Sequence, residues 1–351
     1  MDPTSLASLL GVRLPIIQAP MAGVQGSGLA LAVSAAGGLG SLPCAMLGAD
    51  ALHAELQRIR AVEGAVVNIN FFCHRAPEPD PQREAQWRAS LAPHYRTWGL
   101  DPDMAWPAAS RAPFDAQTAD VLEAFRPRVL SFHFGLPAPA LLARIRGWGT
   151  RILSSATTLA EAEWLQEQGV DAVIAQGLEA GGHRGMFLTD DLSSQLGTLA
   201  LVPQLVRRLR VPVIAAGGIA DARGVAAAMA LGAQGVQVGT AYLLCPEAST
   251  GALHRAALQA SGAGTHTALT NVFTGRPARG ILNRAMRELG PLNLAAPLFP
   301  LAAAGIGPLR ARAEAAGSAD FTPLWAGQNT SGCRAVPAAD ITLALARGLT
   351  G

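Results

Sequence analysis

The stretch PVIAAGGIADARGVAAAMALGAQGVQVGT, residues 212–240, reads as a strand, a helix and a second strand. Its two ends, 212–218 and 235–240, are short apolar runs that finish in glycine or threonine. Such near-continuous apolar runs are typical of strands in a parallel sheet that is covered on both faces. Between them, Asp221 is a suitable N-cap for a helix over the alanine-rich segment. The stretch therefore predicts one β-α-β unit of an α/β fold.

Six similar apolar runs, each bounded by turn residues, precede this unit. They are PIIQAP (15–20), GGLGSL (37–42), AVVNINFF (65–72), VLSFHFG (129–135), RILSSAT (151–157) and DAVIAQG (171–177). Helical segments lie between the runs, clearest where Thr158 and Glu161 have capping-box spacing and Gly169 can end the helix. Eight strands alternating with helices predict a (β/α)8 TIM barrel. A doubly wound open sheet is the alternative, although the nearest glycine motif, GVQGSG (23–28), lacks the spacing of a dinucleotide fingerprint.

Two segments are longer than ordinary connections between barrel elements. Residues 74–125 are rich in proline, tryptophan and charge, and we expect a partly helical excursion there. Residues 243–335 follow the eighth strand, and we expect them to form a smaller, mostly helical domain on the substrate side. Residues 1–242, together with a closing helix over 336–351, are predicted to form the barrel.

Composition narrows the class of protein. The formal net charge is +2 and charged residues make up 15% of the chain, so no electrostatic signature of nucleic acid or an anionic membrane is present. We therefore expect a small-molecule partner. The N-terminal sequence MDPTSLASLL lacks the pattern of a signal peptide, which predicts a cytoplasmic protein. The four cysteines are far apart, which argues against a zinc site or a disulfide scaffold.

Glycines at the ends of the last two strands indicate a phosphate site. Gly217 and Gly218 precede a helix, and 237–240 ends in a glycine and a threonine. In barrels these two loops often bind phosphate, because glycine lets backbone N–H groups approach the anion. Thr240 could add a hydroxyl donor. Tight packing of glycine turns is the alternative.

Three residues at other strand ends indicate a flat ring beside that phosphate. Met21, in QAPMAG, can form an apolar shelf, although a methionine there is usually part of the core. Asn70 and Gln176 are amides in otherwise apolar strands, and buried amides need hydrogen-bond partners. The partner is either another group of the protein or the edge of a bound ring.

Two histidines are candidates for the chemistry. His183 follows the sixth strand in QGLEAGGHRG, where Gly181 and Gly182 allow close approach of the backbone. It can act as a general base or as a cation beside an anionic substrate. His133, in SFHFG, is either a second functional residue or a hydrogen-bonded core histidine.

Two absences exclude other chemistry on this barrel. All 27 basic residues are arginine, so a Schiff-base lysine is excluded. No HxH or HExxH spacing is present, so a metal hydrolase site is not predicted. Flavin mononucleotide (FMN) fits what remains, because it has one phosphate and one flat ring and needs no metal.

Several motifs in this order resemble the nitronate monooxygenases. They are PIIQAPMAG, NINFFCHR, SFHFG, QGLEAGGHRG, AAGGIADARG, LGAQGVQVGTAYLLCPE and TGRPARG, and the resemblance covers nearly the whole chain. The pair NINFFCHR and QGLEAGGHRG is specific for the bacterial class I type. The resemblance implies an FMN-dependent barrel enzyme that oxidises alkyl nitronates with O₂ to a carbonyl product and nitrite, through a flavin semiquinone. It suggests propionate 3-nitronate as the substrate.

The resemblance also assigns residues. It implies that His183 is the catalytic residue. The residues that it places at FMN are Met21, Asn70, Gln176, Gly181, Gly218, Gln237, Val238, Gly239 and Thr240. We expect no metal, no nucleic acid and no membrane partner; a homodimer is one option for the assembly, and the sequence leaves the oligomeric state open.

The chain departs from the family on the substrate side. Phe299 and His254 stand where relatives tend to have tyrosine, and the lysine that usually follows is absent. Arg276, Arg279 and Arg284 are candidates to replace that cation. His133 and Phe299 complete the substrate-side candidates. An FMN-dependent NAD(P)H reductase, acting on an enoyl thioester or a quinone, and a non-catalytic phosphate-binding barrel are the alternative functions.

Overall fold

A computed structural model describes residues 5–107, 111–260 and 265–349. The eight predicted strands are present, and each lies within its predicted run or within one residue of it. They are β1 (Ile16–Gln18), β2 (Gly40–Pro43), β3 (Val67–Phe72), β4 (Val129–His133), β5 (Arg151–Ala156), β6 (Ala172–Gln176), β8 (Val213–Ala216) and β9 (Gly235–Val238). All pair in parallel, in the order β1-β9-β8-β6-β5-β4-β3-β2.

The two ends of this sheet meet. Ile16 of β1 lies opposite Val236 of β9, and Ile17 forms a parallel bridge with Leu39, the residue before β2. The N–H of Leu39 donates to the carbonyl of Ile16 at 2.9 Å, and the N–H of Gln18 donates to that of Leu39 at 2.9 Å. The sheet therefore curves into a TIM barrel, as predicted, and the open doubly wound sheet is wrong.

Helices surround the barrel and cover its far end. Their bounds are α1 (Leu6–Leu10), α2 (Ser27–Ala35), α3 (Ala49–Arg60), α4 (Pro81–Thr97), α5 (Ala116–Glu123), α6 (Pro139–Arg146), α7 (Leu159–Glu167), α8 (Thr198–Arg208), α9 (Ala222–Ala230), α10 (Ala252–Ala260), α11 (Arg284–Glu288), α12 (Ala302–Ala315) and α13 (Ala338–Ala346). None of those within the described ranges is long and apolar enough to cross a membrane.

The two helix starts that were read from the sequence are capped by the expected side chains. The hydroxyl of Thr158 accepts from the N–H of Glu161, and a carboxylate oxygen of Asp221 accepts from the N–H of Gly224 at 3.0 Å. The return bond of the predicted capping box differs, because the Glu161 carboxylate accepts from the N–H of Thr157 at 2.7 Å instead. This carboxylate also accepts from the N–H of Phe187, so it joins α7 to the loop that follows β6.

The two long insertions share a second hydrophobic core. Helix α4, from the first insertion, packs on α12, from the second. The indole N–H of Trp87 donates to the carbonyl of Ala302 at 3.3 Å, and the hydroxyl of Tyr95 donates to that of Gly305 at 2.5 Å. The segment 74–125 is therefore not one excursion, since α5 packs on α3 and α6 and belongs to the barrel.

The insertion after β9 also carries a small antiparallel sheet. Strand β10 (Thr267–Thr270) pairs with β11 (Ala278–Ile281), which pairs with β7 (Gly182–His183) from the loop after β6. The boundary predicted between residues 242 and 243 stays a prediction. Parts of the predicted barrel and insertions lie outside the described residues, namely 1–4, 108–110, 261–264 and 350–351.

Candidate active site

One cavity opens at the carboxyl ends of the barrel strands. The loops after β1, β6, β8 and β9 line it together with side chains from β3 and β4. Eleven residues singled out from the sequence lie on its wall: Met21, Asn70, His133, Gln176, Gly181, His183, Gly218, Gln237, Val238, Gly239 and Thr240. Arg276, Arg279 and Phe299 do not line it.

The backbone of His183 is held in place by two side chains. Its carbonyl accepts from Nε2 of Gln176 at 2.9 Å and from Nε2 of His133 at 3.1 Å. Oε1 of Gln176 also accepts from the N–H of Gly185 at 2.7 Å. Gly182, at φ 73°, adopts the left-handed conformation that lets the chain turn into the cavity there. The amide of Gln176 therefore orients the loop of His183.

The hydrogen bonds of His133 determine its state. Because Nε2 donates to the His183 carbonyl, Nδ1 is the acceptor, and it lies 3.1 Å from the hydroxyl of Ser155. Burial lowers the pKa of His133 to about 4, against the favourable effect of its bond to the carbonyl. His133 is therefore a neutral ring that positions the neighbouring histidine.

The ring of His183 has one nitrogen bound and one free. Nε2 lies 2.9 Å from the hydroxyl of Thr274, whereas Nδ1 has no hydrogen-bond partner among the described residues. The rings of Phe299 and Trp325 lie 5.3 and 5.5 Å away, centre to centre. Burial, with further contributions from Arg111 and other cationic groups nearby, holds the pKa of His183 well below its usual value. The imidazole of His183 is therefore neutral at neutral pH, and its Nδ1 is available to accept a hydrogen bond or a proton.

Another part of the cavity wall is a cradle of backbone N–H groups. Within the described chain, the N–H groups of Gly218, Gly239 and Thr240 have no protein acceptor. Gly217 and Gly218 have φ of 119° and 74°, which favour glycine, and a Cβ on Gly217 would lie 2.9 Å from the Thr198 hydroxyl. The Thr240 hydroxyl accepts from the N–H of Gly327 at 2.9 Å, which leaves its own hydrogen free to donate. This arrangement suits a phosphate.

Two amide side chains, of Asn70 and Gln237, also line the cavity. Oε1 of Gln237 is buried and has no partner within the described chain, and a buried acceptor without a donor is costly. Nδ2 of Asn70 instead donates to the hydroxyl and carbonyl of Ser131, at 2.9 and 3.2 Å. Met21 lies beside Gly239, with its sulfur 3.7 Å from the position of a Cβ there. Of the two amides, Gln237 is the one with a fully buried oxygen that lacks a donor in the described part of the chain.

The arginines proposed from the sequence lie outside the cavity wall. Nε of Arg279 donates to the carbonyl of Leu178 at 2.9 Å, and Arg276 donates to that of Met186. Arg276 also stacks on Phe134, with Cζ 4.1 Å from the ring centre. Arg284 is ion-paired with Glu288 on the surface. Arg276 and Arg279 thus bind carbonyls of the loop after β6, and Arg284 binds a carboxylate of its own helix.

Sequence reasoning missed Arg111, Thr274 and Trp325. Arg111 and Trp325 line the cavity, and Thr274 binds the catalytic candidate. No spacing in the sequence marks them, because each reaches His183 only through the packing of the insertions. His254, which was noted only as a departure, also lines the cavity, and its Nε2 is buried without a partner in the described chain. Burial lowers its pKa to about 4.

The chain was compared with known proteins. The family model for nitronate monooxygenase matches residues 4–347. A nitronate monooxygenase of Paraburkholderia phytofirmans is 43% identical over 98% of this chain and 94% of its own length. One of Pseudomonas aeruginosa is 41% identical over 98% of both chains. The crystal structure of a nitroalkane oxidase from Streptomyces ansochromogenes has a TM-score of 0.87 at 38% identity and covers 96% of both chains.

Proposed function

The chain belongs to the nitronate monooxygenase family, and from this premise we propose that it is an FMN-dependent enzyme for alkyl nitronates. In the proposed reaction O₂ converts the nitronate to a carbonyl product and nitrite, and propionate 3-nitronate is the proposed main substrate. The observation that carries the proposal is the neutral His183, whose free Nδ1 belongs to the same cavity as a glycine-lined N–H cradle.

The residues present fit FMN. Three N–H donors without acceptors, at Gly218, Gly239 and Thr240, match the needs of a terminal phosphate. The orphaned Oε1 of Gln237 would accept from the N–H of the flavin ring, and Met21 would supply an apolar surface for that ring. When bound, the flavin would supply the electron transfer between the substrate and O₂.

His183 would lie beside the carbon atom that carries the nitro or nitronate group of the substrate. Its low pKa makes the imidazole an open acceptor but a weak base, since burial and neighbouring cations disfavour the imidazolium. Removal of a proton from a neutral nitroalkane is therefore uphill for this ring. A nitronate arrives already deprotonated and would meet a region made positive by Arg111 and Arg276. The electrostatics thus favour nitronates over nitroalkanes.

Aromatic side chains would exclude water around the reacting atoms. Phe72, Phe134, Phe299 and Trp325 surround the ring of His183. A low local dielectric strengthens the interaction of an anion with the cations beside it. Water would therefore compete less for the nitronate than it does in bulk solution.

Anaerobic mixing tests the proposal. Purified enzyme reconstituted with FMN is mixed without O₂ with propionate 3-nitronate and, separately, with NADH, while the flavin absorbance is followed. We expect the nitronate to change the flavin spectrum and NADH to leave it unaltered. Reduction by NADH alone would instead support the NAD(P)H reductase alternative, and a chain that binds no FMN would exclude both.

A further inference from the structure

We propose that Arg111 binds the second anionic group of a nitronate that also carries a carboxylate, and so makes the enzyme selective for such dianions. The inference rests on the proposed function, which it extends from the reacting group to the far end of the substrate. Arg111 comes from the first insertion, between α4 and α5.

Nη1 of the Arg111 guanidinium is a buried donor without a partner in the described part of the chain. The guanidinium as a whole makes no hydrogen bond or ion pair with any residue in the described ranges, and its Nη1 is enclosed by the protein. Burial and then the charge of Arg310 lower its pKa. A guanidinium stays charged at neutral pH, and an enclosed cation without a counter-ion destabilises the protein unless an anion binds there.

Two other arginines in the described part of the chain, Arg184 and Arg255, are satisfied by the protein. Arg184 donates to the carbonyls of Gln176 and Gly177 and to the side chain of Gln195, at 2.8 to 2.9 Å. Arg255 donates to four backbone carbonyls. These side chains fix loops, whereas Arg111 contributes no such bond. Structural support therefore does not explain its burial.

The charge of Arg111 acts on His183, and both residues lie beside the ring of Phe299. Cζ of Arg111 is 5.5 Å from the centre of the Phe299 ring, and the His183 ring is 5.3 Å from that centre. Both groups thus share one neighbour and both line the cavity. A nitronate at His183 would place a carboxylate on its short chain toward Arg111, where a bidentate pair can form.

The described wall of the cavity offers no competing carboxylate. Glu179 is its one acidic residue in the described part of the chain, and both of its oxygens accept from the N–H of Thr198. The second cation on the wall, Arg310, is paired with Glu314 at 2.7 Å. Arg111 is therefore the cation whose charge is still available for a ligand.

The test compares R111Q and R111K with the wild-type holoenzyme and with R284Q, a matched surface control. Steady-state kinetics are measured with propionate 3-nitronate and with propyl-1-nitronate, which lacks the carboxylate. We expect R111Q to raise KM for the carboxylated substrate by about 10- to 100-fold and to leave KM for the other within about threefold, because a charge-assisted pair is lost. R111K should recover part of the loss, and R284Q should match the wild type.

Calorimetry gives a readout that is independent of turnover. Succinate has the chain length and both charges of propionate 3-nitronate, since a carboxylate is planar like a nitronate, whereas butyrate has one charge. The wild type should bind succinate at least about tenfold more tightly than butyrate, and R111Q should abolish that ratio. Binding of succinate does not require that the enzyme oxidises a nitronate. The proposed role of Arg111 and the proposed function can therefore fail independently of each other.

Three results would overturn the assignment of Arg111. One is an equal rise in KM for both nitronates in R111Q. Another is loss of bound FMN in R111Q, which would place the residue at the cofactor. The third is equally tight binding of succinate and butyrate by the wild type, a result that does not depend on whether any variant folds.

Discussion

Nε2 of His133 donates a 3.1 Å hydrogen bond to the backbone carbonyl of His183, so the two histidines of the cavity have different tasks. The first is neutral and has both ring nitrogens engaged. The second has a free nitrogen. His133 is thus a positioning residue, and its loss should alter rate without altering which substrates are accepted.

Substitution of His133 tests that division. H133F removes the donor to the His183 carbonyl, and we expect kcat to fall about tenfold on nitronates and nitroalkanes alike, because the loop loses one of its two side-chain anchors. H133Q, which keeps a donor, should recover most of the rate. FMN content and KM should change little in both variants. Activity of H133F equal to that of the wild type would contradict the positioning role.

Substitution of His183 tests the role of its Nδ1 as a proton acceptor. In H183N we expect activity on neutral nitroethane to fall by about 100-fold or more, as for the loss of a general base, and activity on ethyl nitronate to fall far less. The comparison uses initial rates of O₂ consumption at saturating substrate. T274V is the control, since it removes the partner of Nε2 but keeps Nδ1. Equal losses on the two substrates in H183N would exclude a base role.

Stability should depend on pH through the buried histidines. The pKa of His133 is lowered to about 4 in the folded protein, whereas an unfolded histidine titrates near 6.5. Above pH 6.5, His133 is neutral in both the folded and the unfolded protein. Its full contribution to stability is therefore present there. As pH falls from 6.5 toward 4, the unfolded state gains a proton that the folded state refuses, so the free energy of unfolding decreases by up to about 3 kcal/mol.

Urea unfolding of the holoenzyme at pH 7.5 and pH 5 measures this effect. H133Q should show a smaller loss of stability between the two values than the wild type, because one titrating group has been removed. H53Q changes an exposed histidine and serves as the control. An identical pH dependence in H133Q and the wild type would show that His133 takes up its proton equally in both states.

The phosphate cradle can be tested at one glycine. Gly218 and Gly99 both have left-handed φ, at 74° and 66°, so alanine strains the backbone at either position. G218A should weaken FMN binding about tenfold, because it moves a free N–H that would contact the phosphate. G99A should lower the melting temperature similarly and leave FMN binding unchanged. The measurement is the Kd of FMN for the apoprotein, and equal Kd values in the two variants would remove Gly218 from the cofactor site.

The barrel could be predicted from the sequence because its signals are local. Strand runs such as 171–177 and 212–218 are mostly apolar and end in glycine, and both contain strands of the sheet. Caps such as Asp221 depend only on residues three positions away. The alternation of strands and helices fits both a closed barrel and an open sheet, and the lack of a dinucleotide fingerprint favoured the barrel.

The substrate side could not be predicted in the same way. Arg276 and Arg279 were candidates to replace the missing lysine, but their side chains bind carbonyls of the loop after β6. Arg111 reaches the cavity because the insertions fold against each other, which is a long-range effect without periodicity. The glycine-rich loops were found because backbone conformation there depends on residue type alone.

The bonds from Trp87 to Ala302 and from Tyr95 to Gly305 have an evolutionary consequence. They join segments separated by more than 200 positions into one hydrophobic core beside the barrel. Recombination that exchanges only one of these segments with a homologue would break the shared core. New substrate preferences in this lineage should therefore arise by coordinated drift in both segments, and a chimaera intended to transfer specificity must carry both.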